Sequence, residues 1–99
     1  MEHIAGPFLG FYLACYTIQT GEGHYGYAKL CPDLPASVWD TGEVLRKVAA
    51  GPYPTPNAAL RAVIARSERR LARREARRHS EWLMLDSAPQ PLLPARETA

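Results

Sequence analysis

Eight arginines fall between Arg61 and Arg78, against only Glu68 and Glu75, a local balance of +6 in a chain whose formal net charge is +2. The first half is slightly acidic: Lys29, Arg46 and Lys47 face Glu2, Glu22, Asp33, Asp40 and Glu43. An anionic partner is therefore expected at the arginine segment. At about 100° per residue, Arg66, Arg69, Arg70, Arg73 and Arg77 occupy one helical sector, nearly opposite a stripe of Leu60, Ile64 and Leu71. Guanidinium groups in such a row bind phosphate oxygens bidentately and release counterions, so these five residues form a candidate nucleic-acid-binding face. The competing interpretation is a solvated helix face.

Other chemical signals point away from catalysis. His3, His24 and His79 are widely separated, and there is no His-x-x-x-His pair, glycine-rich phosphate loop or Gly-x-Ser-x-Gly elbow. Cys15 and Cys31 with His24 could be drawn as a nucleophile and base, but each cysteine fits more simply as a small apolar residue in a strand. Two cysteines make no disulfide framework and lack zinc-site spacing, and free thiols fit a reducing cytoplasm. No enzyme activity, cofactor or metal is expected. Tyr25, Tyr27 and Lys29 would share a sheet face able to stack on bases, although ordinary cross-strand packing explains them as well.

These residues need elements to position them. Ninety-nine residues support one core, expected over residues 1–86, with a disordered tail over 87–99 punctuated by Pro89, Pro91 and Pro94. Phe11 to Thr20 and His24 to Cys31, rich in aromatic and β-branched residues around Gly21-Glu22-Gly23, predict a β-hairpin. A three-residue loop would set Thr20 opposite His24, Ile18 opposite Gly26, Tyr16 opposite Ala28 and Ala14 opposite Leu30, and these residues would form the inner face. In that register the cysteines are diagonal neighbours on one face, too far apart for a disulfide.

Pro32 and Pro35 end the second strand, and the following loop is expected to fold Trp39 over one end of the core. Glu43 to Ala49 predicts a third strand, ended by Gly51-Pro52-Tyr53-Pro54. Thr55-Pro56 starts a helix, with Thr55 as cap, and Leu60, Val63, Ile64, Ser67 and Leu71 follow helical spacing as the stripe expected against the hairpin. After Leu71 its apolar stripe fades, and Trp82, Leu83 and Leu85 restore apolar character in a last helical turn or in a segment that folds back. The fold class is thus α+β: a three-stranded antiparallel meander on one long basic helix.

The uncharged stretch from Ile4 to Ile18 is a buried strand before it is a targeting signal. It lacks a preceding basic residue, contains Gly6-Pro7 and is too short to span a bilayer as a helix. Leu13-Ala14-Cys15 approaches a lipoprotein box, but Tyr12 stands where an aliphatic residue belongs. The expectation is a cytoplasmic protein without membrane contact.

Gly26-Tyr27-Ala28 in the second strand, Val38-Trp39-Asp40 in the loop and Thr55-Pro56-Asn57-Ala58-Ala59-Leu60 opening the helix resemble small bacterial β-β-β-α domains with no assigned activity. The resemblance covers about residues 11–71 and implies architecture rather than function. Function is expected to be a non-enzymatic protein-interaction module, most simply a homodimer burying Trp82, Leu83 and Leu85 or pairing a sheet edge. Nucleic-acid binding through the arginine face is the alternative.

Overall fold

The computed structural model describes residues 1–87, with side chains through Ser80. Four strands, β1 (Glu2–Phe8), β2 (Phe11–Thr20), β3 (Gly23–Cys31) and β4 (Arg46–Tyr53), form an antiparallel meander in the order β1-β2-β3-β4, followed by α1 (Pro56–Ser87). The class is α+β, as expected, but the sheet has four strands rather than three. The additional strand was hidden by Gly6-Pro7, which breaks the alternation expected of a strand. Proline is tolerated on an edge strand, and the β1–β2 register shifts between Ala5 and Phe8 to accommodate it. Leu9 and Gly10, both at positive φ, close this hairpin as a two-residue turn.

The β2–β3 strand limits agree closely with expectation, but the register does not. Thr20 pairs with Gly23, leaving a two-residue loop, so Ile18 lies opposite Tyr25, Tyr16 opposite Tyr27 and Leu13 opposite Leu30. Thr20 stabilises the shorter loop by accepting the Glu22 amide and donating to the Gly23 carbonyl, each at 3.1 Å. One residue of slip exchanges the faces of β2. Leu13 and Cys15, instead of Ala14 and Tyr16, therefore join Ala28, Leu30, Val48 and Ala50 beneath α1. Cys31 lies in a second cluster with Ala14 and Val38 on the other face, so the two cysteines do not share a face.

The last strand also begins later than expected and continues through Gly51-Pro52. Its position at the sheet edge removes the need for a Pro52 amide, and a register shift opposite His24 to Gly26 takes up the distortion. The β3–β4 connection crosses the face away from α1. Val38, not Trp39, is its buried plug, while Trp39 stays 60% exposed with its ring 4.6 Å from that of Tyr16 and tilted 48° to it. Lys29 ties this loop down by donating to the Val38 carbonyl at 3.0 Å with its ammonium 4.8 Å from the Trp39 ring.

Thr55 caps α1 as expected, its hydroxyl accepting the Ala58 amide at 3.1 Å. The helix then runs unbroken to Ser87, so residues 81–86 continue it and do not fold back. The expected disordered tail otherwise lies outside the described residues. Ala59, Val63, Ser67 and Leu71, four residues apart, form the buried column against the sheet. Leu60 and Ile64 pack at its side, half-buried.

Candidate anion-binding groove

The position of the arginines follows from which residues of α1 face the sheet. The buried column of Ala59, Val63, Ser67 and Leu71 shares Val63, Ser67 and Leu71 with the expected stripe of Leu60, Val63, Ile64, Ser67 and Leu71, and its centre is rotated from that of the stripe by roughly 35° at about 100° per residue, toward Ala59. Gly26 is the cause. It allows the helix backbone at Ala59 to rest directly on β3, where a methyl group at position 26 would collide with the Ala59 carbonyl. The smallest side chains thus define the contact line. The predicted basic face is consequently not opposite the sheet but turned toward its β4 edge.

The Arg66 guanidinium donates to the Ala49 carbonyl on β4 at 3.2 Å. A hollow of about 280 Å³ beside it is bordered by Arg66, Arg69, Arg70 and Arg73, together with Ala50 and Tyr53. Arg70 and Arg73 also border a larger groove of about 690 Å³ toward the other end of β4. Its rim is completed by Arg74, Arg77 and, from the sheet, Arg46. Leu30, Leu45, Val48 and Leu71 form its floor. The five arginines expected to act together are therefore brought to one side of the molecule, divided between two hollows.

Charge compensation within this region is sparse. Among the described residues the one side-chain ion pair is Arg78 with Glu75, at 3.9 Å and exposed. Arg74 is additionally 5.4 Å from the Phe11 ring, a cation–π contact that holds it at the rim. An aliphatic floor lowers the local dielectric, so guanidinium groups around it attract an anion more strongly than the same groups on an open helix. The arrangement sets charge beside apolar surface, and the Ser67 hydroxyl that also lines it donates to the Val63 carbonyl at 2.7 Å.

Arg46, Leu45 and Arg74 were not anticipated. Arg46 alternates with Val48 and Ala50 on the face under α1, and that alternation was the available sequence signal. Trp82, Leu83 and Leu85 lie on α1 beyond Leu71, the last residue that the helix buries against the sheet among the described residues.

The other candidate constellations are not assembled. Cys15 pairs with Ala28, four residues along β3 from His24, or about 13 Å in an extended strand. Burial, with a smaller contribution from Cys31, pushes the Cys15 thiol up to about 12, opposite to the shift that activates a thiolate. Burial also raises Cys31, partly offset by Lys29. Both thiols are free. Among the described residues no three His, Cys, Asp or Glu side chains are grouped to hold a metal, and no helix is long and apolar enough to cross a membrane. Tyr27 stacks on Tyr16 at 5.2 Å on the face away from α1, remote from the arginines.

Comparison of the chain with protein-family models, curated proteins and solved structures finds no match.

Proposed function

We propose that this chain is a non-enzymatic interaction module whose groove between α1 and β4 holds an acidic, partly apolar segment of a protein. The observation that carries this reading is the aliphatic floor of Leu30, Leu45, Val48 and Leu71 within a rim of arginines. Carboxylates satisfy the rim and apolar side chains cover the floor. A phosphate backbone would use only the rim, and among the described residues the lining of this groove includes no aromatic ring on which a base could stack, Tyr53 bordering the smaller hollow instead.

The test is fluorescence anisotropy with a labelled peptide in which glutamates flank leucine and tryptophan, compared with polyglutamate of equal length. The mixed peptide should bind more tightly. Arg73→Ala with Arg77→Ala should weaken it between about five- and thirtyfold, since each exposed charge pair contributes up to about 1 kcal/mol. Equal affinity for polyglutamate would remove the role of the floor and overturn the reading.

Nucleic-acid binding remains the second reading because the arginine row is continuous from Arg66 to Arg77, about 16 Å along the helix at 1.5 Å per residue. Tighter binding to DNA or RNA than to the mixed peptide, with affinity falling steeply in salt, would replace the first reading with this one.

A further inference from the structure

We infer that the groove is filled by residues 81–86 of a second copy of this chain, so that two chains pair through the ends of their helices. The inference rests on the groove reading above and names its occupant. From Ala72 to Ser80 every residue of α1 is exposed, and the helix extends sixteen residues past Leu71, about 24 Å at 1.5 Å per residue. This overhang has two chemically different halves. Arg73, Arg74, Arg77 and Arg78 occupy the first half, and Glu81-Trp82-Leu83-Met84-Leu85-Asp86 occupies the second. In the second half two carboxylates bracket four apolar residues, the complement of arginines surrounding leucines.

The complement cannot be satisfied within one chain. α1 is continuous, and Trp82 lies about 16 Å along the axis from Leu71, so the acidic half cannot return to its own groove. Two overhangs packed antiparallel resolve this. A two-fold axis near Arg78 sets Glu81 of one copy level with the helix between Arg74 and Arg77 of the other, and Asp86 level with Arg70. The apolar run Trp82 to Leu85 is then level with Arg74 to Leu71, at the Leu71 end of the groove. The contact is isologous and closes at two chains, each providing one groove and one acidic segment. Pairing also supports an overhang whose length is near the limit at which a lone helix is stable in water.

The test uses the full chain and two charge reversals, Glu81→Lys with Asp86→Lys and Arg73→Glu with Arg77→Glu. Sedimentation equilibrium should give a dimer for the parent and a dissociation constant at least tenfold weaker for either variant alone. An equimolar mixture of the variants should recover the dimer, because both contacts are again complementary. That recovery excludes misfolding as the cause of the loss. A parent chain that stays monomeric at high concentration while the mixed peptide still binds overturns self-pairing and leaves the groove reading intact. A dimer unaffected by either reversal places the interface elsewhere and overturns the inference. A dimer with no recovery in the mixture overturns it too. Failure of the mixed peptide to bind the monomeric Glu81→Lys, Asp86→Lys chain, whose groove is vacant, overturns the groove reading as well.

Discussion

Gly26→Ala places a methyl group where α1 rests on the sheet. The added carbon would fall on the Ala59 carbonyl oxygen, 2.9 Å from its carbonyl carbon and 3.1 Å from Val63 Cβ. Two of these atoms are backbone, so no side-chain rotation relieves the collision and the helix itself must lift. Overpacking of a tight core costs about 1–3 kcal/mol, and backbone contacts favour the upper half of that range. Alanine in a strand would otherwise gain about 0.5–1 kcal/mol over glycine, which reduces the net loss to about 1–2 kcal/mol. At about 4–8 °C per kcal/mol for a domain of this size, the melting temperature should fall by about 5–15 °C. Gly21→Ala is the control, since its turn position has no atom within 4 Å and no positive φ. Urea unfolding followed by far-ultraviolet circular dichroism compares the two. Equal stability within about 0.5 kcal/mol would refute the direct contact and, with it, the rotation that carries the arginines to β4.

Lys29→Met leaves the Val38 carbonyl without its 3.0 Å donor and removes the cation beside Trp39. The expected cost is about 1–3 kcal/mol in urea unfolding, with faster proteolytic cleavage between β3 and β4. Trp39→Ala removes the tilted ring contact with Tyr16 and the 2.7 Å bond from its indole to Glu2, for a loss of about 1–2 kcal/mol. Because it lies on the face away from α1, peptide affinity for the groove should not change, and anisotropy checks this. The Cys15 thiol, raised from 9.0 to about 12 on folding, stays protonated in the native state where the unfolded chain ionises. Its contribution is complete below pH 9 and is lost as pH rises toward 12, so the urea midpoint of the parent should fall more steeply over that window than that of Cys15→Ala. Identical slopes would refute the shift.

The parts of the fold governed by local chemistry were legible in the sequence. Thr55-Pro56 specifies a capped helix start through one hydroxyl and one fixed φ, and the aromatic and β-branched runs specify β2 and β3. The hairpin register was not legible. Gly21-Glu22-Gly23 supports a two-residue or a three-residue loop, and the choice is made by Thr20, whose hydroxyl bridges Glu22 and Gly23. β1 was missed for a related reason: Gly6-Pro7 reads as a break, and only pairing along β2 shows that the strand passes through it. The arginine row was visible as a charge run, yet its direction depended on the Gly26–Ala59 contact, a tertiary fact. Val63, Ser67 and Leu71 of the expected stripe are buried as read, whereas Leu60 and Ile64 sit at its side and Ala59 takes the contact line, because its size permits the closer approach.

The same contact explains why a groove exists at one end of β4. At Gly26 and Ala59 nothing larger than a backbone separates helix from sheet, whereas toward Leu30 and Leu71 leucine side chains stand between them. The helix therefore meets the sheet backbone to backbone near its start and through leucine side chains near Leu71. Along the tight part, Arg66 reaches the Ala49 carbonyl and covers the open edge of β4, a position where an unpaired strand would otherwise invite another chain. Along the part near Leu71, Arg70, Arg73, Arg74 and Arg77 border the 690 Å³ groove with Arg46. One charge run thus divides by position into an arginine that guards a strand edge and four that are left to bind. Replacing Arg66 tests the first role and replacing Arg73 with Arg77 tests the second, so the two contributions of a single basic face are experimentally separable.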